Sequence, residues 1–212
     1  MANSGSSNEA RIKARLTERY RTINGPALRG LVAAGLDWLR TNQQIVNSLN
    51  VFPVPDGDTG TNMVLTMQSA VDEVEQLGDR PVGEVAHAIA HGALMGARGN
   101  SGVILSQLWR GFSRALDDLQ VMDAATLVQA LQEARDTAYK GVVRPVEGTI
   151  LTVSKDVAQS GHEALEDGSD SAFSLLHPRR HAACGMPPAT RPAAHLRSTA
   201  ERSRNRRFAG WD

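Results

Sequence analysis

Two aspartates separated by a single glycine, Asp56-Gly57-Asp58, stand directly before Thr59-Gly60-Thr61-Asn62. Carboxylates two residues apart, on a turn stiffened by Pro53 and Pro55, can aim at one point, and held so close they repel unless a cation lies between them. Hard oxygen donors with room for water suit Mg²⁺ that also touches a phosphate. The competing reading is a helix-capping aspartate with a solvated neighbour. A second segment, Gly99-Asn100-Ser101-Gly102, has the make-up of a phosphate cradle. Glycine permits close approach and positive φ, and a helix start supplies unpaired N–H groups and the positive end of its dipole. Asn100 and Ser101 add side-chain donors. Alone, the segment could equally be a tight turn with a serine cap. A third, Glu147-Gly148-Thr149, has the same character. Each of the three lies just before an expected helix start, and that repetition favours a phosphate and metal site over three unrelated turns.

Other residues carry less. His87 and His91 are four apart on an expected helix but lack a third ligand of matching spacing, so they read as ordinary helix histidines. Met63 and Met67 read as core. Arg98 and Arg144 flank the glycine-rich loops and could stabilise transferring charge, or simply be exposed structural arginines. The aspartate segment lacks the alternating ligands and closing glutamate of an EF-hand, and the chain has no Walker A sequence, kinase glycine-rich loop or Rossmann fingerprint.

The elements that must position these loops are helical. Leu28, Leu31, Val32, Leu36 and Leu39 begin an apolar stripe running to about Leu49. Met63, Met67, Ala70, Val71, Val74 and Leu77 make a second, with Thr59 or Thr61 expected to cap it. Pro81 suits a first helical position, ahead of Val82, Val85, Ile89 and Leu94. Ser101 is expected to cap a helix through Ile104, Leu105, Leu108, Phe112 and Leu116. Asp123 and Thr149 are expected to cap the next two, through Leu127 to Ala138 and through Ile150 to Val157. No stretch sustains a period of two, so the expected fold class is all-α.

Composition sets the outer bounds. The chain has 212 residues, an apolar fraction of 41% and zero formal net charge, which gives no general pull toward nucleic acid or membrane. No apolar run approaches the roughly 18 residues of a membrane span, and Met1 to Arg15 have no hydrophobic segment of a secretory signal. A lone cysteine, Cys184, excludes an internal disulfide and fits a reducing compartment, so the expected location is cytoplasmic. Three parts are expected: a loose lead-in over 1–24, a helical domain over 25–168, and an atypical tail over 169–212. That tail has eight arginines and no lysine beyond His177, with four prolines.

The long segments around these loops resemble a known family. Asn47-Ser48-Leu49-Asn50-Val51-Phe52-Pro53-Val54-Pro55-Asp56-Gly57-Asp58-Thr59-Gly60-Thr61-Asn62-Met63 is similar to the signature of DhaL-type kinase domains, in the form found in bacterial fatty acid kinases. Gly92 to Gln107 and Arg144 to Leu151 resemble the second and third signatures, and the likeness covers about residues 24–160. It implies an antiparallel barrel of amphipathic helices with ATP or ADP at one end and two Mg²⁺ ions bridging its phosphates. Asp56 and Asp58 match the family's clustered aspartates. A further upstream aspartate of the dihydroxyacetone-kinase branch is missing, and Asn50 or Asn47 stands near its place. By the same likeness Thr59, Gly60, Asn100, Ser101 and Gly102 would contact phosphates, with Asn62 and Gly99 also among the nucleotide-binding residues. Gly148, Thr149 and Ile150 would lie near the nucleotide, Leu94 or Met95 would line the adenine pocket, and Arg144 would assist transfer.

The implied reaction is phosphoryl transfer, which depends on positioning and charge neutralisation more than on covalent chemistry. In the fatty acid kinase form, the acceptor is a carboxylate presented by a separate acyl-binding protein. In the dihydroxyacetone branch it is a small ketose on another subunit. A non-catalytic nucleotide-binding module is the third reading. The intact family member could be a homodimer, and nucleic acid is not an expected partner. The change of composition near Ala172, where a family member should continue its helices, suggests a truncated or frameshifted C-terminus; the rival is a genuine basic tail.

Overall fold

The structure is a computed structural model that describes residues 21–52 and 54–168. Pro53, the first twenty residues and the Arg/Pro-rich tail lie outside the described residues. The fold is all-α. Six helices account for most of the described chain: α1 (Gly25–Ser48), α2 (Thr59–Val74), α3 (Val82–Met95), α4 (Gly99–Arg114), α5 (Ala124–Lys140) and α6 (Ile150–Glu166). Two two-residue strands, β1 (Ile23–Asn24) and β2 (Val121–Met122), pair antiparallel with Ile23 opposite Met122. This small clip was not expected from the sequence, since two residues are too few to show a period. It fixes the start of α1 beside the start of α5. Ile23, at the end of the expected lead-in, is buried with it.

Successive helices pack against one another, and α1 also touches α3 while α2 touches α4. Their short connections make neighbours antiparallel, so α2, α4 and α6 begin at one end of the bundle and α1, α3 and α5 at the other. The apolar stripes face inward as their spacing requires. Leu28, Val32 and Leu36 of α1 meet Met67, Ala70 and Val74 of α2 and Val82, Val85, Ala86 and Ile89 of α3 in one buried cluster. Leu116, Met122 and Leu127 extend it. Each fully buried aliphatic side chain contributes about 1.5–3 kcal/mol. Trp109 meets Phe112 edge-on at 5.3 Å, and its indole N–H donates to Met67 Sδ at 3.1 Å. The packing anchors the middle of α4 against α2, below the loops of interest.

Helix starts divide into two kinds. Asn24, Asp123 and Thr149 cap their own helices, accepting from Ala27 N at 3.0 Å, Thr126 N at 2.8 Å and Leu151 N at 3.3 Å. Asp123 and Thr149 are the expected caps. The other three starts differ from expectation. Asp58 occupies the cap position of α2, one residue before Thr59, with no side-chain capping bond. Arg98 occupies that of α4, so Ser101 lies within the first turn instead of capping it. Pro81 stands at the cap position of α3, with Val82 as the first helical residue. In the two starts at the glycine-rich loops, another helix supplies the missing partner: Asn47 Oδ1 of α1 accepts from Thr61 N at 3.1 Å, and Thr66 Oγ1 of α2 accepts from Arg98 N at 3.1 Å. No helix among the described residues is long and apolar enough to cross a membrane.

Candidate functional site

At the end where α2, α4 and α6 begin, the three loops enclose a cavity of about 680 Å³. Each loop carries a glycine with left-handed backbone at or beside its helix start: Gly57 at φ +69°, Gly99 at φ +56° and Gly148 at φ +89°. Only glycine adopts that conformation without steric cost, and there it turns the chain sharply into the helix. Three helix N-termini therefore surround one hollow, and their unpaired N–H groups and dipoles make it attractive to anions.

Asp56, Asp58 and Asn50 line the cavity on the α1–α2 side. Asn50 Nδ2 donates to Asp56 Oδ1 at 2.5 Å, which holds the exposed Asp56 carboxylate in place. Asp58 is half-buried, and its main-chain carbonyl accepts the first helical bond from Asn62 N at 2.8 Å. With no cap to make, its carboxylate is left for the cavity. Across the hollow stand Gly99, Asn100 and Ser101, and beside them Arg144, Gly148, Thr149 and Ile150. Thr59 and Asn62 complete the set. Asn62 also fits under Gly99, where an added Cβ would lie 2.4 Å from its Nδ2.

The third loop is braced from two sides. Glu147 accepts from the Tyr139 hydroxyl at 3.1 Å and from Thr152 Oγ1 at 2.7 Å, while Gly148 N donates to Thr152 Oγ1 at 2.8 Å. Thr149 Oγ1 donates to Val146 O at 2.9 Å. Burial, reinforced by Glu147, pushes the Tyr139 hydroxyl up to about 12. It stays a hydrogen-bond donor throughout the neutral range.

Four residues expected at the site are not among those lining the cavity. Gly60 is buried against α1, where a Cβ would meet Gln43 O at 2.5 Å. Gly102 is buried against α2, where a Cβ would meet Thr66 Oγ1 at 2.3 Å. Both permit close helix approach that sets the loops, and neither lines the cavity. Leu94 and Met95 end α3, exposed and outside the lining. The apolar wall comes instead from residues that sequence reasoning passed over: Val46, Leu49, Phe52, Val54, Val142 and Val146, among others. The available signal was apolar residues persisting through turns at 49–54 and 142–146, where turn chemistry alone would favour polar ones.

His87 and His91 do not converge. His87 pairs with Asp117, and His91 Nδ1 lies 3.2 Å from Glu73 Oε1. Among the described residues no three His, Cys, Asp or Glu side chains assemble into a metal cluster. On the loop between α1 and α2 the protein donors facing the cavity are the carboxylates of Asp56 and Asp58 and the amide of Asn50. That set fits a cation that keeps water and takes phosphate oxygens, as Mg²⁺ does, better than one that needs a full protein cage.

This arrangement has relatives. A family model described as the DAK2 domain matches residues 53–203. The chain belongs to the DAK2, or DhaL-type, family. Protein YloV of Bacillus subtilis is 51% identical over 150 residues, which cover 71% of this chain and 27% of that protein. An uncharacterised protein of Staphylococcus aureus strain USA300 is 49% identical over 148 residues, covering 70% and 27%. The chain thus spans about a quarter of the length of these curated relatives.

Proposed function

We propose that this DAK2 domain binds ATP with Mg²⁺ in the three-loop cavity and serves phosphoryl transfer to an acceptor brought by another domain or protein. The observation that carries the reading is the convergence of Asp56, Asp58 and three glycine-turned helix starts on one hollow of about 680 Å³. Asp56 and Asp58 supply the carboxylates that would hold Mg²⁺, with Asn50, hydrogen-bonded to Asp56, as a third oxygen donor. Bound there, the cation would neutralise phosphate charge during transfer. Backbone N–H groups of the Gly99-Asn100-Ser101 turn would hold phosphate oxygens, and Gly148, Thr149 and Ile150 would flank the nucleotide. The aliphatic wall would receive the base. Arg144, exposed and among the lining residues, would meet charge developing on the transferred group.

In the transfer an acceptor oxygen bonds to the γ-phosphorus as the bond to the β–γ bridging oxygen breaks, leaving ADP. We further propose a fatty acid carboxylate on an acyl-binding protein as the acceptor, with an acyl phosphate as product. A small ketose on a partner subunit is the alternative. The support is the form of the first signature, Asn47 to Met63, which is that of the fatty acid kinases.

Calorimetry of ATP and ADP binding with and without Mg²⁺ tests the site. Tight binding that requires Mg²⁺ and disappears in the Asp56→Ala, Asp58→Ala double variant is the expected result. Equal binding by that variant, or none by a folded wild-type chain, would reject it.

A further inference from the structure

Aspartate is among the best helix caps because its carboxylate readily accepts from the N–H groups of the first turn. That habit conflicts with metal binding at Asp58. A carboxylate that caps its own helix has one oxygen committed to the first turn and leaves only the other for a cation. Asp123, the same residue at the same position of α5, shows the default: it accepts from both Thr126 N, at 2.8 Å, and Thr126 Oγ1, at 2.7 Å. Asp58 makes no such bond.

The difference lies in α1. Asn47 Oδ1 accepts from Thr61 N at 3.1 Å, and Thr61 is the third residue of α2, whose N–H an Asp58 cap would ordinarily take. Asn47 Nδ2 donates back to Thr61 Oγ1 at 3.1 Å, and Gln43 Nε2 donates to the same hydroxyl at 2.9 Å. The amide therefore faces Thr61 with both its donor and its acceptor, a geometry fixed by two bonds. Gly60 makes room for it, since a Cβ there would lie 3.0 Å from Asn47 Oδ1.

We propose that Asn47 is a positioning residue: by capping α2 from the neighbouring helix it releases the Asp58 carboxylate to the cavity. This rests on the metal reading of Asp58 given above. Asn47 itself is absent from the cavity lining.

The test uses the full chain as wild type, Asn47→Ala, Asp58→Ala, the double variant and Asn47→Asp. The first measurement is amide exchange at Thr61 without metal. Protection should persist in each alanine single variant, because one side chain takes the cap when the other is gone. In the double variant exchange should quicken by about fivefold or more. The second measurement is Mg²⁺-dependent ADP affinity. Asn47→Ala should lower it by about tenfold, as loss of a partner behind a metal ligand does. Asn47→Asp, which keeps the acceptor for Thr61 N, should restore most of it. The proposal is overturned if Asn47→Ala alone exposes Thr61 as fully as the double variant, for then Asp58 never competes for the cap. It is equally overturned if Asn47→Ala binds Mg²⁺ and ADP as wild type does. A folded wild-type chain with no Mg²⁺-dependent ADP binding would instead reject the metal reading, and the two failures are told apart by that control.

Discussion

The two ends of the bundle are built from the same materials and differ in what their polar groups do. At the far end a second hollow of about 410 Å³ is lined by Glu84, His87, Asp117 and Asp118. There His87 pairs with Asp117, and the first N–H groups of α3 are spent: Val82 N donates to Gln120 O at 3.2 Å and Gly83 N to Leu119 O at 3.1 Å. Asp123 caps α5, and the β1–β2 clip ties the edge. At the site end, capping of α2 and α4 is handed to Asn47 and Thr66 of neighbouring helices, and Asp58 stays uncommitted. One end uses its polar groups to close the fold, and the other leaves the Asp58 carboxylate without a capping bond beside a hollow.

The sharpest way to break that contrast is a pair of glycine variants. At Gly25 an added Cβ would lie 2.0 Å from Arg80 O, against rigid backbone, at a buried position of the far end. Gly25→Ala should cost about 3 kcal/mol or more of stability by overpacking, and nucleotide binding should fall only with the folded fraction. Gly99→Ala at the site end meets the flexible Asn62 amide and a left-handed backbone at φ +56°. It should cost roughly 1–2 kcal/mol of stability. Its loss of ATP affinity should exceed what unfolding explains, by about tenfold, because the backbone donors move. Denaturant melts beside calorimetry separate the two; equal binding loss per unit of stability at both sites would erase the distinction.

A smaller effect is expected at Asp123. Asp123→Ala removes a cap and should cost about 1 kcal/mol without changing nucleotide affinity. The main-chain N–H and the hydroxyl of Thr126 hold the Asp123 carboxyl below the usual carboxylate range. Its folded pKa is therefore the lower one, so its contribution is full above the ordinary value and is lost as pH falls through the folded value. The stability gap between wild type and variant should shrink with acidification below about pH 4. A gap that is constant down to strongly acid pH would show that the cap is not what Asp123 provides.

Much of this could be read in the sequence. The six helices follow from stripes such as Leu28, Val32 and Leu36, because the period of an amphipathic helix is local. The loops were legible because glycine beside carboxylates or threonine is a chemical signature that needs no tertiary information. The caps borrowed from other helices were not legible. Asn47 lies fourteen residues from Thr61, and Thr66 thirty-two from Arg98, so only packing brings them together. The helix packing of Gly60 and Gly102 was not legible either, because a glycine that admits a phosphate and one that admits a helix look alike in sequence. The β1–β2 clip is too short to show a period, and much of the apolar cavity wall sits in turns, where periodicity gives no signal.

The smallest effect is expected at Tyr139, where the site end does use a hydrogen bond to hold a loop. The hydroxyl donates to Glu147, one residue before Gly148, and burial raises its pKa to about 12. A raised folded pKa makes the contribution full below the ordinary tyrosine value and lost as pH rises from about 10 to 12. Tyr139→Phe keeps the ring and its packing. It should lower stability by about 0.5 kcal/mol at neutral pH and weaken ATP two- to threefold, a factor of about that hydrogen bond's modest net worth. In wild type the alkaline limb of stability should be steeper than in the variant over that window. Matching alkaline limbs, with unchanged affinity, would mean that the Tyr139 hydroxyl does not hold Glu147, and that the third loop is braced without it.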